Sequence, residues 1–260
     1  VPERLNIGVA CTDAHLGTPA ESRTAMIVED DALGTSSITY GDLARRTSRF
    51  AQLLRDLGIA AGDRVLVRLP NSIDYPTAFL GAMKRGAIAV PTSTLLTSDE
   101  VRFLLEDSGA AALVIDAAAW DGMRATLEGA GALRHVIVAG ESLERTLASI
   151  DNVEPSHATH SDDPAYLVYT SGTTGYPKGV LHAHRSLAGR APASTYWFDY
   201  ERGREAPAEE NIDRILHSGK FNWTYVLGSA LMDPLARGKT VIAHEGRNDA
   251  ATWPRLIAKH

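Results

Sequence analysis

Gly62-Asp-Arg-Val-Leu-Val-Arg-Leu-Pro-Asn-Ser-Ile-Asp-Tyr-Pro-Thr-Ala-Phe-Leu-Gly-Ala-Met-Lys-Arg-Gly-Ala-Ile-Ala-Val-Pro91 runs strand, turn, helix, strand. The Gly62-Asp63 turn opens the apolar run from Arg64 to Leu69, and Pro70-Asn71-Ser72 breaks it. Tyr75 to Arg85 reads as a helix stopped by Gly86, and Ala87 to Val90 as a short buried strand closed by Pro91. The pattern repeats towards the C-terminus. Ser98 is the expected N-cap of a helix reaching Asp107. Strand Ala111 to Ile115, helix Ala117 to Glu128 and strand Arg134 to Val138 follow. Strands alternating with helices of this length predict an α/β fold of βαβ units on mostly parallel sheets.

Towards the N-terminus, Asp42 to Leu57 is the clearest helix. Leu43, Phe50, Leu53, Leu54 and Leu57 recur at three- and four-residue steps, Arg45, Arg46, Arg49 and Arg55 lie mostly elsewhere, and Gly58 ends it. Thr24 to Glu29 and Ser37 to Tyr40 read as strands around an Asp-Ala-Leu-Gly turn, and residues 1–23 as irregular. Ser149 to Asp163 is polar and unpatterned, which predicts a solvated linker between two α/β lobes, 1–150 and 151–260. His157 and His160 sit in it three apart, with no cysteine and no third spaced ligand, so no metal site is expected.

The densest chemistry lies in the second lobe. Tyr169-Thr-Ser-Gly-Thr-Thr-Gly-Tyr-Pro-Lys-Gly179 separates the apolar runs Ala165 to Tyr169 and Val180 to His184, so it reads as a tight turn between two strands. Gly172, Gly175 and Gly179 let the backbone take φ > 0 and turn N–H groups inward. Thr170, Ser171, Thr173 and Thr174 add hydroxyls, Lys178 a mobile positive charge, and Pro177 stiffness beside it. The composition suits a polyphosphate. A polar surface hairpin with an ordinary lysine has the same composition. Lys178 is followed by Gly179 and Gly172-x-x-Gly175 is short, so this is not a Walker A loop, and no Rossmann glycine pattern is present.

Beyond the loop, His184 to Trp197 reads as a helix and Glu201 to Glu210 as a charged surface segment. Ile212 to His217 reads as a strand, Trp223 to Leu235 as an apolar helix, Thr240 to His244 as a strand and Thr252 to His260 as a helix. Net charge is −6, so no basic field exists to draw nucleic acid or an anionic membrane, and positive potential at the loop must be local. A single cysteine, Cys11, allows no internal disulfide and fits a cytoplasmic protein in which it is a small buried side chain. No apolar run approaches the ~18 residues of a transmembrane helix.

The eleven residues from Tyr169 to Gly179 resemble the signature phosphate loop of the adenylate-forming superfamily. The likeness extends along the chain. Leu53-x₃-Leu57-Gly58 with Gly62-Asp63-Arg64-Val65, Lys84-Arg85-Gly86-Ala87 with Val90-Pro91, and Ser218 to Tyr225 with Gly228 and Pro234 to Gly238 are similar to blocks of the benzoate and short- to medium-chain acyl-CoA ligase branch. The resemblance implies the N-terminal part of the adenylate-forming fold. It also implies a two-step reaction, in which a carboxylate attacks the α-phosphate of ATP with Mg2+ and the acyl-adenylate passes to coenzyme A.

On that resemblance Thr170, Ser171, Gly172, Thr173, Thr174, Gly175 and Lys178 bind the nucleotide, with Lys178 the catalytic electrostatic group rather than an acid or base. Phe221, Asn222, Trp223, Tyr225 and Gly228 form the acid pocket, though the aromatic residues among them would equally suit the core face of a helix packed on the sheet. Three aromatics in five residues, and no Lys or Arg between Lys220 and Arg237, predict a compact apolar or aromatic acid rather than a dicarboxylate. His182 and His184 lie two apart, and one is expected to hydrogen-bond near the loop. The family's later adenine- and ribose-binding segments and its C-terminal lysine do not follow Gly179. The expectation is therefore a first half that is inactive alone and compatible with a homodimer. Two alternatives share the loop: an adenylation domain loading a carrier protein, and a non-catalytic nucleotide-binding or dimerisation module.

Overall fold

The computed structural model describes residues 1–32, 34–170, 176–198 and 214–260, so the charged segment from Glu201 to Glu210 lies outside the described residues. Among these the strands are β1 (Thr24–Asp30), β2 (Gly34–Thr39), β3 (Arg64–Arg68), β4 (Ile88–Pro91), β5 (Ala112–Ile115), β6 (His135–Val138), β7 (Pro164–Thr170), β8 (Lys178–Ala183), β9 (Arg214–Leu216) and β10 (Thr240–Glu245). Six form one sheet in the order β6-β5-β3-β4-β7-β8, parallel except for the β7–β8 hairpin at its edge. Four form a second, β2-β1-β10-β9, parallel except for the β1–β2 hairpin. β4 and β5 are buried along their whole length, as expected of parallel strands covered on both faces. The mixed α/β fold predicted from the alternation is the fold observed.

Local chemistry explains most boundaries. The helix expected from Asp42 spans Tyr40–Asp56, because the Thr39 hydroxyl accepts from Asp42 N–H and starts it earlier. Leu43, Ala44, Thr47, Phe50, Ala51 and Leu54 make its buried stripe. Full burial of a side chain such as Phe50 contributes about 1.5–3 kcal/mol. Helix Asp74–Lys84 is buried on nearly every side and lies against it. The N-cap expected at Ser98 falls instead on Thr97, whose hydroxyl and backbone N–H exchange bonds with Glu100 in a capping box.

Two expectations need correction. Strands from both sides of residue 150 build each sheet, so a division into lobes 1–150 and 151–260 separates no sheet. The segment 149–163 is a strap rather than a free linker. His157 N–H donates to Lys84 O at 2.7 Å, Thr159 Oγ1 to Leu5 O at 2.7 Å and Ser161 N–H to Glu3 O at 2.9 Å. The side chains of His157 and His160 are exposed, while Thr159 and Ser161 are buried.

The N-terminal residues are correspondingly ordered, with a helix at Ile7–Cys11 and a 3-10 turn at Asp13–His15. Ile7 and Cys11 are fully buried. Burial pushes the Cys11 thiol well above the ordinary range, which suits its expected role as a packed apolar group. Lys84, also fully buried, donates to Asp13 at 2.6 Å, Ser48 Oγ at 2.9 Å and Ala44 O at 3.1 Å. Burial lowers its pKa and Asp13 opposes the shift, so the ion pair fastens this segment to two helices.

Candidate active site

The hairpin expected from the glycine-rich turn is present. β7 and β8 pair antiparallel with Thr170 opposite Lys178 and Tyr169 opposite Gly179. Ser171, Gly172, Thr173, Thr174 and Gly175 lie outside the described residues. Lys178 is exposed, and its ammonium has no hydrogen-bond or ion-pair partner among the described residues. Thr170 Oγ1 approaches Lys178 O at 3.5 Å.

Gly179 differs from its expectation: it sits in a strand without positive φ. Its requirement is the close approach of Leu167, whose Cδ1 would lie 2.9 Å from an added Cβ. Helix Ser98–Ser108 props both ends of the turn. Tyr169 donates its hydroxyl to Asp107 at 2.5 Å, and the Tyr176 ring stacks on Phe103 with centroids 5.6 Å apart. Burial, reinforced by the Asp107 carboxylate, raises the Tyr169 pKa, so the phenol stays a donor.

The expected acid segment begins after β9. Asn71, which follows β3, holds it in place. Its Oδ1 accepts from Phe221 N–H at 3.0 Å, and its Nδ2 donates to Gly219 O at 3.3 Å and His244 O at 3.2 Å. Its own N–H donates to Glu245 at 2.8 Å, which Lys220 also engages at 2.7 Å. Phe221 is buried against Tyr75, ring centroids 5.3 Å apart, so it is a core anchor of the segment. Trp223 and Tyr225 are two-thirds exposed, and Asn222 is half-buried. Tyr225 lies beside the His217 ring, 5.7 Å between centroids, and burial lowers the His217 pKa.

The helix expected from Trp223 starts at Thr224–Val226, takes a π-helical turn over Leu227–Met232, and finishes at Asp233–Ala236. π turns cluster at functional sites. Gly228 is in that turn, and a Cβ there would overlap the Arg190 guanidinium.

Tyr166, Arg190 and Asp233, none of them singled out in the sequence, join hairpin to helix around His182. The Tyr166 ring on β7 stacks on His182 of β8, centroids 4.5 Å apart and planes 6° apart. Arg190, in the helix Arg185–Phe198, pairs with buried Asp233. Burial and then the Arg190 charge lower the His182 pKa, so this imidazole stays neutral. His184 carries the hydrogen bond, but away from the loop: its Nδ1 accepts from Ile7 N–H at 3.1 Å.

A cleft of about 400 Å³ elsewhere on the surface is lined by Ser37, Arg45, Arg46, Arg49 and Glu144, and touches none of the expected site residues. Among the described residues no group of three or more His, Cys, Asp or Glu could hold a metal ion, and no helix is long and apolar enough to cross a membrane.

The fold is thus an open, mostly parallel α/β sheet whose edge hairpin carries the exposed Lys178. The chain belongs to the AMP-binding enzyme family, which it matches over residues 17–260. It is 34% identical over 262 residues to benzoate–CoA ligase of Thauera aromatica, covering 98% of this chain and 47% of that protein. The N-terminal domain of FACL13 from Mycobacterium tuberculosis superposes with a TM-score of 0.80 at 32% identity, covering 98% of this chain and 61% of that one. A benzoate CoA ligase from Burkholderia xenovorans LB400 superposes at 0.79 with 28% identity, covering 98% and 48%. The chain spans about half the length of the curated relatives it matches, as the 47% share of the benzoate–CoA ligase illustrates.

Proposed function

We propose that this chain carries the phosphate-handling and acid-recognition part of an AMP-forming acid–CoA ligase. In the first step a carboxylate oxygen bonds to the α-phosphorus of ATP and pyrophosphate leaves. In the second the sulfur of CoA bonds to the acyl carbon, the thiol proton is lost and AMP leaves. The observation that carries the reading is Lys178, exposed and unpaired among the described residues at the mouth of the hairpin, opposite Thr170. A lysine there neutralises charge building on the departing pyrophosphate and moves no proton. The loop from Ser171 to Gly175 belongs to the same proposal through its sequence. Mg2+ would arrive on the nucleotide's phosphates, as it commonly does, and supply further neutralisation.

The segment from Phe221 to Gly228 supports recognition of the acid. Phe221 anchors it, Asn222, Trp223 and Tyr225 stand free enough to meet a ligand, and Gly228 keeps a side chain out. Flat rings favour a compact or aromatic acid. The relatives named above as CoA ligases support CoA over a carrier protein as acceptor.

The test is acid-dependent ATP–pyrophosphate exchange by the intact protein. Lys178→Ala should lose about 2–4 kcal/mol of transition-state stabilisation in adenylation. Thioester formation from pre-made acyl-adenylate should change little. Equal damage to both half-reactions would remove the assignment of Lys178 to pyrophosphate.

A further inference from the structure

The space that a side chain at Gly228 would fill is taken by Arg190. A Cβ built on Gly228 would lie 1.7 Å from Arg190 Nη2 and 1.8 Å from both Cζ and Nη1. Three nearly equal distances mean that the guanidinium as a whole covers the position a Gly228 Cβ would take. Nε and Nη2 donate to Asp233 Oδ1 and Oδ2 at 3.2 and 2.9 Å, a forked pair that fixes the plane of the group. Asp233 is 4% exposed at its side chain, whereas Arg190 keeps 29%. Nη1 has no hydrogen-bond partner among the described residues. A rigid, partly open donor therefore stands against Gly228 in the segment read as the acid site. Lys220, the basic residue just before that segment, is already engaged by Glu245.

The charge balance narrows what this donor accepts. Asp233 cancels the Arg190 charge, so a second carboxylate on the acid would be desolvated against a neutral pair. An uncharged oxygen, such as a hydroxyl, ether or carbonyl, accepts an N–H at much smaller desolvation cost. Such a donor also penalises an acid that leaves it unpaired, which is how polar sites discriminate more sharply than apolar ones.

We propose that Arg190 is a specificity-determining residue of the acid site, its Nη1 donating to an uncharged oxygen on the body of the acid rather than to the reacting carboxylate. The inference rests on the reading of Phe221 to Gly228 as that site, and it refines the expectation of a wholly apolar acid. Arg190 escapes a search of the segment itself because it enters from the preceding helix.

The intact protein should be assayed with benzoate, 3-hydroxybenzoate, 4-hydroxybenzoate and terephthalate. At least one hydroxybenzoate should exceed benzoate in kcat/KM by roughly tenfold or more, with terephthalate poorest. Arg190→Met leaves Asp233 buried and unpaired, so Arg190→Met/Asp233→Leu, which removes both charges, guards against misfolding. Gly228→Ala displaces the guanidinium by a separate route.

All three changes should bring the hydroxybenzoate-to-benzoate ratio to about one while KM for ATP stays within about twofold. A purely structural Arg190 would instead lower kcat/KM for every acid alike and leave the ratio unchanged, which overturns the proposal. Wild-type preference for benzoate or terephthalate overturns it too. Trp223→Ala and Tyr225→Ala separate the two levels. If they shift the acid profile and the Arg190 variants do not, the site reading stands and Arg190 falls. If no variant shifts it, both fall.

Discussion

Acidifying from about pH 7 to about pH 5 should cost the fold about 2 kcal/mol through His184 alone. The imidazole is fully buried and its Nδ1 accepts from Ile7 N–H at 3.1 Å, a role open to the neutral ring and closed to the cation. Burial, against a weaker pull from Asp163, holds its pKa at about 4, where an unperturbed histidine titrates at 6.5. The folded-state pKa is depressed, so the unfolded chain takes the proton first. The contribution is complete above about pH 6.5 and drains away as pH falls towards about 4, totalling about 3 kcal/mol at 1.36 kcal/mol per unit.

Near pH 5 the unfolded histidine is almost wholly protonated and the folded one about a tenth so, which leaves about 2 kcal/mol lost by then. His15, His182 and His217 are lowered by burial as well and add slope of the same sign. The comparison is therefore with His184→Asn, whose carboxamide oxygen replaces the Nδ1 acceptor without titrating. Urea unfolding at both pH values should show the variant losing about 2 kcal/mol less than wild type. Equal losses in the two proteins would refute the placement of His184 as a buried neutral acceptor.

The Lys84–Asp13 pair should respond unequally to loss of its partners. Asp13→Ala strands a fully buried ammonium and should cost about 3–5 kcal/mol in urea unfolding. Lys84→Met fills the same space and leaves a carboxylate that is a quarter exposed, so its cost should be smaller; the reverse order would contradict the burial assigned to Lys84. Gly81→Ala should lower stability by about 1–2 kcal/mol despite a better helix former, because the new Cβ would meet Phe50 Cδ1 and Thr47 O at 2.9 Å. A rise in melting temperature would show that the two helices separate more easily than their packing indicates.

What the sequence made legible follows from the range of the forces involved. The alternation from Arg64 to Val138 could be read because each crossover helix lies between the two parallel strands it serves, with glycine or proline at most boundaries. The β7–β8 hairpin could be read because its two apolar runs flank one polar turn. Pairing over long separations could not. β1 finds its parallel partner β10 more than two hundred residues later, Met26 opposite Val241, and nothing in either run specifies the other. The strap at 149–163 looked solvated for the same reason, since its partners Glu3, Leu5 and Lys84 are distant in sequence.

The candidate site divides along that line. Lys178 and the loop are local chemistry, legible in composition and resemblance, whereas the groups that fix the segment proposed to recognise the acid are tertiary. Asn71 is one of them, and its position shows why it matters. It follows β3, at the carboxyl end of a parallel strand where open α/β sheets bind ligands. From there one carboxamide bonds to Phe221 and Gly219 of the acid segment and to His244 of β10. β3 belongs to the six-stranded sheet and β10 to the four-stranded one. The segment proposed to recognise the acid is thus tied through one carboxamide to strands of both sheets. Asn71→Ala leaves Phe221 N–H without this acceptor, so it should loosen that segment while leaving the hairpin that carries Lys178 intact.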